Sequence, residues 1–205
     1  MSGLREKQKA DRQRRILTAA SRLFREAGYG AVRIEDIAAA AEVSVGTFYN
    51  YFETKGELLL AIVTMEVEEV LSLGESVVRD PPCSVEVALR QLIGGYFDHS
   101  LVYLSKEMWR TALAIAIEAP DTPFSCRYTQ LDSLMTDQVC NLIAELQARG
   151  LARQDVCARA LGEVIFNNLN MMFIEFVKSE PMPMAHLHDK VAVQMAPLAG
   201  LLAKV

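Results

Sequence analysis

Long apolar runs are missing from this chain of 205 residues. A helix that spans a bilayer needs roughly 20 consecutive apolar residues, and the uninterrupted runs in this sequence are far shorter. The chain starts with MSGLREK, which is charged and lacks the apolar core of a signal peptide. We therefore expect no membrane association and a cytoplasmic location.

Proline and cysteine are also scarce. Only 7 prolines interrupt the chain while 51% of its residues are apolar, and this balance favours a compact, mostly helical protein over a disordered one. No segment alternates apolar and polar residues between turn signals, so we predict no sheet. The four cysteines lack metal-ligand spacing and are expected to be reduced thiols: Cys83, Cys126, Cys140 and Cys157. We expect neither a metal site nor a cofactor.

The net charge of −5 is unevenly distributed along the chain. Residues 1–33 hold nine Lys or Arg against three Asp or Glu, a net charge of +6, so the other 172 residues carry −11. A basic end on an acidic body indicates a localised electrostatic footprint, of the kind that nucleic-acid-binding proteins use.

Two helices are predicted in the basic region. The first covers about residues 9–27 and ends at Gly28, while residues 1–8 are expected to form a disordered tail that can still add phosphate contacts. The second covers about residues 34–41, followed by a turn at Glu42 and Val43. The apolar stripe of the first helix has helical spacing: Ile16, Ala20, Leu23, Phe24 and Ala27.

A third, very short helix follows the turn. Ser44 is predicted to be the N-cap of a helix that begins at Val45. At 100° per residue, Phe48 and Phe52 lie on one side of this helix as anchors, whereas Gly46, Thr47 and Asn50 lie largely opposite. Thr54 and Glu57 form a T-x-x-E capping box for the next helix. Helix, tight turn and short helix together are the helix-turn-helix unit, whose second helix enters the DNA major groove.

Six further helices are predicted over about residues 54–78, 85–104, 106–118, 124–149, 155–178 and 183–204. The fold class is therefore all-α with about nine helices. We divide the chain into a DNA-binding domain of residues 1–53 and a larger domain of residues 54–205. The last two helices are apolar on nearly every side, which suggests a subunit interface in addition to a core. Paired across a two-fold axis, they would form a four-helix bundle.

At this point the sequence resembles a known family. Its segment V-S-x-G-T-F-Y-x-Y-F-x-x-K-x-x-L, from Val43 to Leu58, is similar to the signature of the TetR family of one-component transcriptional regulators. Upstream, Ile37-Ala38 and the F-x-x-x-G-Y segment that starts at Phe24 match the same domain. Two positions depart from the pattern, because Arg33 stands where many members have Thr or Ser, and Glu42 where Gly is common. If that turn position requires a positive φ, we expect the glutamate to have a steric cost of about 1 kcal/mol.

The resemblance implies which residues contact DNA. Positions on the recognition helix approach bases and backbone, Tyr49, Tyr51 and Lys55 match phosphate-binding positions, and Glu35 matches an occasional base contact. Arg33 caps a helix poorly but can reach a phosphate. The candidate DNA-binding residues are Arg33, Glu35, Ser44, Val45, Gly46, Thr47, Tyr49, Asn50, Tyr51 and Lys55.

The resemblance also implies partners for the whole chain. These are a palindromic double-stranded DNA operator, a second copy bound through the last two long helices, and a small, mainly hydrophobic effector that releases a repressor from DNA. For the effector we name aromatic and polar residues of the larger domain, with core packing as the alternative for most of them and above all for Met and Phe: Tyr96, Phe97, His99, Tyr103, Trp109, Tyr128, Asn167, Asn168 and Met171.

Two other functional classes stay open. The chain could be a ligand-independent DNA-binding protein whose larger domain docks a protein partner, and a well-packed larger domain would favour that alternative. An enzyme is not expected, because no nucleophile–base pair, paired carboxylates or metal cluster stands out. His186 and His188 are two positions apart and do not share a helix face, so we interpret them as surface histidines.

Overall fold

The computed structural model describes residues 2–204, and within them it contains nine α-helices and no strand. The helices are α1 (Ser2–Ala27), α2 (Ile34–Ala40), α3 (Val45–Tyr49), α4 (Lys55–Arg79), α5 (Val85–His99), α6 (Lys106–Glu118), α7 (Pro123–Ala148), α8 (Ala158–Lys178) and α9 (Met184–Leu202). Outside the helices, Ala152 and Ala203 form an isolated β-bridge. The predicted all-α fold with nine helices is confirmed.

The first helix is longer than the sequence suggested. α1 begins at Ser2, so the disordered tail predicted for residues 1–8 is wrong for all of it except Met1, which lies outside the described residues. The physical reason is composition: Glu, Lys, Gln, Arg and Ala are strong helix formers, and no breaker separates them from the buried part of the helix. At the other end Gly28 has φ +86 and donates its N–H to the Phe24 carbonyl at 3.0 Å, as a glycine after a helix should.

Contacts group the chain into two units. The first contains the residues up to Glu66 together with Leu101–Tyr128, and the second contains Val67–Ser100 together with the residues from Thr129 onward. The first unit therefore contains α1, α2, α3 and α6. The functional division predicted at residues 53 and 54 stays a prediction.

The core of the first unit forms around the apolar face of α1. Ile16, Phe24, Ile37, Phe48 and Leu58 are fully buried. Burial of a side chain of this size is worth about 1.5–3 kcal/mol, so these contacts hold even the five-residue α3, which is too short to persist alone. The head that carries α3 is thus a packed structure and not a flexible appendage.

A loop from later in the chain is fastened to this head. The Ser21 hydroxyl donates to the carbonyl oxygen of Tyr103 at 2.6 Å, and the Arg25 guanidinium donates to that of Val102 at 2.7 Å. The Tyr103 N–H in turn donates to a carboxylate oxygen of the buried Glu66 at 3.3 Å. Because residues 102 and 103 supply backbone groups here, α5 ends at His99 and does not continue to residue 104 as the sequence predicted.

The second unit is built around α5, α8 and α9. The Phe97 and Phe173 rings stack with centroids 6.1 Å apart, and α8 and α7 approach closely at Gly162. A Cβ on Gly162 would lie 2.4 Å from the Cys140 sulfur and 2.8 Å from the Cys140 Cα. Only a glycine lets the two helices come this near without displacement.

Several apolar residues of α8 and α9 are not buried within a single chain. Val164, Asn167 and Met171 are exposed on α8. On α9, Val193 and Leu201 expose 74% and 67% of their surface. The subunit interface expected at these two helices stays a prediction.

The turn between α2 and α3 contains a residue in the left-handed region. Glu42 has φ +55; its N–H donates to the Ala39 carbonyl at 3.1 Å, and that of Val43 to the Ala38 carbonyl at 3.0 Å. This is the hydrogen-bond pattern of a Schellman motif, which usually has glycine at this position. The steric cost expected for a glutamate at residue 42 is therefore present, at about 1–2 kcal/mol.

Replacement of this glutamate should stabilise the protein. Glu42→Gly should raise the free energy of unfolding by up to about 1 kcal/mol, because the steric cost disappears while glycine loses more chain entropy. The matched control is Glu42→Ala, which also removes the exposed Glu42–Arg15 ion pair (3.4 Å) but keeps the Cβ. Urea titration of both variants tests this, and a glycine variant no more stable than the alanine variant would contradict it.

Candidate nucleic-acid interface and effector cavity

The recognition helix is fixed at its start by its own side chains. Ser44 is the N-cap of α3, and its hydroxyl accepts the Thr47 N–H at 3.0 Å and lies 2.8 Å from the Thr47 hydroxyl. This confirms the N-cap predicted from the sequence. Asn50 is the C-cap residue and follows the last turn in αR conformation. The helix is therefore capped although it has only five residues.

The two sides of α3 differ sharply in burial. Phe48 and Phe52 are buried with ring centroids 6.0 Å apart, so the predicted anchors are in place. On the opposite side Gly46, Tyr49 and Asn50 are exposed, and Tyr49 leaves 49% of its surface accessible. Val45 is also exposed, and Thr47 is half-buried. The outward face is small, uncharged and able to hydrogen-bond, which suits an element that enters a groove.

Arg33 and Glu35 lie at the start of α2. Arg33 is the N-cap residue, and its N–H donates to the Asp36 carboxylate at 3.2 Å. Its exposed guanidinium is 3.3 Å from the Glu35 carboxylate. Asp36 therefore supplies one half of a capping box, and the Arg33 side chain stays at the surface. Tyr51, after α3, is half-buried.

The start of α4 has the predicted cap with one difference. The Thr54 hydroxyl accepts the Glu57 N–H at 3.0 Å, as a capping box requires. The Glu57 carboxylate accepts the N–H of Glu53 at 2.8 Å, one residue before the cap. Residues 53 and 54, which precede α4, are thereby fixed to its first turn.

Lys55 has partners that the sequence did not indicate. Its ammonium donates to the carbonyl oxygens of Tyr29 at 2.6 Å, Val32 at 3.0 Å and Gly30 at 3.4 Å. It also lies 4.6 Å from the centroid of the Tyr29 ring, a cation–π distance. An ammonium has three N–H donors, and here all three point at the turn between α1 and α2. The phosphate contact implied by the family resemblance stays a prediction, and this geometry gives Lys55 a structural role in the head.

One feature of the sequence could have indicated this role. A lysine in the first turn of a helix faces the positive end of the helix dipole, which is unfavourable. At Lys55 three carbonyl oxygens compensate that cost. A cation at such a position is therefore a reason to look for acceptors elsewhere in the fold.

The two roles of Lys55 predict different results for Lys55→Met. If the lysine is structural, the free energy of unfolding should fall by about 2–3 kcal/mol, since charge-assisted bonds are lost, and the salt dependence of DNA binding should keep its slope. A phosphate contact would instead lower that slope by about 0.9 without a change in stability. Lys178→Met, at an exposed lysine in the last turn of α8, is the control for the loss of one charge. Urea titration and fluorescence anisotropy distinguish the outcomes.

The nine candidate effector residues do not form one group. Tyr103, Trp109 and Tyr128 belong to the first unit. The other six belong to the second unit: Tyr96, Phe97, His99, Asn167, Asn168 and Met171. A single site within one unit can therefore use only part of this set.

A cavity of about 190 Å³ lies between α4 and α5 in the second unit. It is lined mainly by apolar residues, among them Val70, Val77, Leu92 and Tyr96. Tyr96 is the one candidate effector residue that lines it. Burial raises the pKa of Tyr96, so its hydroxyl stays a neutral hydrogen-bond donor. A small, mainly apolar cavity with a few polar side chains, here Ser76, Gln91 and Tyr96, can orient a hydrophobic molecule.

The other candidate effector residues either pack or bond within the protein or are exposed at its surface. Phe97 is in the core, the His99 ring lies 3.4 Å from the Glu69 carboxylate, and the Asn168 amide donates to Gln194 at 3.0 Å. Asn167 and Met171 are exposed, whereas Trp109 and Tyr128 are buried. Without a bound ligand these assignments stay predictions.

Gln138 is a polar residue of this region that no pattern in the sequence indicates. Its amide oxygen accepts the Tyr96 hydroxyl at 2.7 Å, and its amide nitrogen donates to the Leu71 carbonyl at 2.8 Å. A Cβ on Gly74, which lines the cavity, would lie 2.3 Å from the same amide oxygen. Gln138 thus connects α7 to α4 and α5 beside the cavity, through contacts that only the folded chain creates.

Asp132, also on α7, is a second polar residue whose surroundings no pattern in the sequence indicates. Burial raises the pKa of its carboxyl from 3.8 to about 6. The ionised form is therefore disfavoured in the folded state. Ionisation of Asp132 therefore lowers the free energy of unfolding. This loss of stability is absent below pH 4, grows as the pH rises toward 6, and reaches its full size above pH 6.

Asp132→Asn should stabilise the protein in a pH-dependent way. At pH 7.5 the free energy of unfolding should rise by up to about 3 kcal/mol, and the gain should vanish near pH 4. Asp155, whose pKa is lowered by hydrogen bonds from Arg153, is the control, because Asp155→Asn should give no gain at either pH. An equal gain for Asp132→Asn at both values would contradict the role of its charge.

The part of the chain that the structure describes, residues 2–204, has neither clustered metal ligands nor a membrane-spanning helix. That part of the chain contains no group of three or more His, Cys, Asp or Glu residues placed to hold a metal ion. None of its helices is long and apolar enough to cross a membrane. The His188 ring forms a contact of 2.7 Å with the Asp98 carboxylate.

Comparisons with known proteins agree with this geometry. The model of the family described as bacterial regulatory proteins, tetR family, matches residues 16–62. The HTH-type transcriptional repressor KstR of Rhodococcus jostii is 29% identical over 165 residues, which cover 78% of this chain and 71% of that protein. KstR of Mycolicibacterium smegmatis is 38% identical over 60 residues, only 29% of either protein.

Solved structures share the fold over nearly the whole chain. FadR of Thermus thermophilus, a TetR-family repressor solved in complex with lauroyl-CoA, superposes with a TM-score of 0.65 at 21% identity. The superposition covers 94% of this chain and 97% of that one. The similarity therefore extends beyond the helix-turn-helix to the larger helical region.

Proposed function

We propose that this chain, which belongs to the TetR family of helix-turn-helix transcriptional regulators, is a repressor that binds a palindromic operator as a dimer and is released by a small, mainly hydrophobic effector. The observation that carries the proposal is the outward face of α3. It is uncharged and exposed, and it is held by a cap and two buried phenylalanines. Its neighbour α1 carries most of the basic residues of the head.

The recognition face suits a major groove. The Asn50 amide can pair with the N6 and N7 edge of adenine, and the Val45 side chain can contact a thymine methyl group. Tyr49 and Arg33 are exposed enough to reach phosphates. In this mechanism the bases are recognised by small side chains, while affinity comes mostly from the surrounding cations.

The exposed apolar residues of α8 and α9 support a homodimer. Val164 and Met171 are seven positions apart and so share one face of α8, and Val193 and Leu201 are exposed on α9. Burial of these faces against a second copy would form a four-helix bundle with two-fold symmetry. Two heads related by that axis would contact inverted half-sites about 34–36 Å apart, or a multiple of this distance.

Release requires an effector that prefers the state which does not bind DNA. A 100-fold preference corresponds to about 2.7 kcal/mol of coupling. The cavity beside Tyr96, at about 190 Å³, is below the 300–1,000 Å³ of typical ligand sites. Effector binding is therefore proposed to enlarge it. The apolar lining, and the acyl-CoA ligand of the Thermus neighbour, support a hydrophobic effector.

The alternatives receive less support. The cavity argues against a larger domain that only docks a protein partner, and the relatives carry the names of repressors and not of enzymes. We propose that the chain has no catalytic activity and acts in the cytoplasm, where the operator is.

Operator selection tests the proposal. The wild-type chain should select an inverted repeat from random duplexes, and Asn50→Ala should select a repeat with altered base preference. Light scattering at micromolar concentration should give the mass of a dimer. No enriched sequence would overturn the proposed DNA-binding function, and a monomer mass would overturn the dimer.

A further inference from the structure

The first half of α1 extends away from the packed head. Every described side chain from Glu6 to Arg14 is exposed, and the first buried residue of the helix is Ile16. At 1.5 Å per residue, the helix from Ser2 to Arg15 is about 20 Å long. This length corresponds to about six base pairs of DNA at 3.4 Å each.

Residues 6–14 of this extension carry four basic residues against two acidic ones, Glu6 and Asp11. Lys7, Lys9, Arg12 and Arg14 are exposed, and among the residues that the structure describes none of the four forms an ion pair. The nearby acid Asp11 is paired with Arg15 at 3.8 Å. A helix that is polar all round gains no stability from packing. Its row of cations is therefore available to an anionic partner.

The four cations lie on two opposite sides of the helix. Arg12 precedes Arg15 by three residues and Ile16 by four, and Lys9 precedes Ile16 by seven, so Lys9 and Arg12 share a face with the residues that contact the head. Lys7 and Arg14 are seven residues apart and share the opposite side. Only the Lys9–Arg12 side continues the face of α1 that packs on the helix-turn-helix.

This side also faces the turn before the recognition helix. The Arg15 guanidinium lies 3.4 Å from the Glu42 carboxylate, and Glu42 precedes Ser44, the N-cap of α3, by two residues. The extension therefore leaves the head beside the turn that precedes the DNA-reading element.

We propose that the Lys9–Arg12 side of the α1 extension binds the phosphodiester backbone of DNA next to the half-site that α3 occupies. The inference rests on the proposed DNA-binding function and extends its footprint by up to about six base pairs on each flank. The contact is electrostatic and independent of base sequence, so it adds affinity and salt dependence without a change in operator preference.

The test compares two variants that remove the same charge from the same helix: K9Q/R12Q and K7Q/R14Q. Each is titrated by fluorescence anisotropy against the selected operator, with long flanks and with flanks cut at the half-site ends, from 50 to 200 mM salt. K9Q/R12Q should bind the long duplex about tenfold more weakly at 200 mM salt and should lower the slope of log K against log salt by about 1.8. K7Q/R14Q should change the affinity and the salt slope much less. On the duplex with short flanks, the two variants should bind with the same affinity and the same salt slope.

The possible outcomes separate this inference from the proposed function. Equal effects of the two variants, or an unchanged slope for K9Q/R12Q on the long duplex, would overturn the inference while operator binding by the wild type stands. A wild-type chain that selects no operator overturns the proposed function itself. All four residues are exposed, so both variants should fold like the wild type. Circular dichroism with thermal unfolding checks this.

Discussion

Phe48→Ala should abolish operator binding and lower the free energy of unfolding by about 3–5 kcal/mol. The Phe48 side chain is fully buried and contacts the Phe52 and Tyr49 rings at centroid distances of 6.0 and 5.7 Å. A five-residue helix has almost no stability of its own, so the cavity left by the phenyl ring removes the main reason for α3 to fold. Urea titration and amide hydrogen exchange of residues 44–52 measure the effect.

The matched control is the neighbouring aromatic residue. Tyr49 exposes 49% of its surface, so Tyr49→Ala should leave stability within about 0.5 kcal/mol of the wild type while it weakens DNA binding. Equal loss of stability in the two variants would show that burial does not distinguish the two sides of α3. Full operator affinity of Phe48→Ala would show that α3 does not need its anchor.

Gly162→Ala should cost about 3 kcal/mol of stability, although alanine is intrinsically the better helix former by about 1 kcal/mol. The new Cβ would lie 2.4 Å from the Cys140 sulfur and 2.8 and 3.0 Å from the Cys140 Cα and nitrogen. Two of these atoms belong to the backbone of α7, so α7 and α8 have to separate. Thermal unfolding measures the loss.

Two further variants test this explanation. Gly95→Ala, on α5 where an added Cβ meets nothing within 4 Å, should instead gain about 0.5–1 kcal/mol. Removal of the sulfur in the double variant Cys140→Ala/Gly162→Ala should recover less than half of the loss, since the backbone contacts remain. Complete recovery would mean that the side chain alone sets the distance between the helices.

The helix-turn-helix could be predicted from the sequence because its signals are local. Ser44, Phe48 and Phe52 lie within nine residues of one another, and their roles follow from helix periodicity and capping. The strained position at Glu42 was foreseen from the family pattern, in which glycine is common there.

Features that depend on distant parts of the chain could not be predicted. The partners of Lys55 lie 23 to 26 residues away, and the loop at Tyr103 is 82 residues from Ser21. The extent of α1 was underestimated for a different reason. An apolar stripe is the sequence signal of a helix, and the extension of α1 has none.

Candidate effector residues were the least predictable. Aromatic residues are selected equally by a core and by a binding site, and the nine candidates divide between two units. The polar residue beside the cavity, Gln138, has a position that only folding creates.

The link between the head and the loop at residues 102 and 103 has a consequence for sequence variation. The head contributes side chains, from Ser21 and Arg25, whereas the loop contributes main-chain carbonyl oxygens. Every amino acid has such an oxygen, so relatives can change residues 102 and 103 and keep both hydrogen bonds. A change at Ser21 or Arg25 removes one outright, so the two sides of this contact should drift at different rates in evolution.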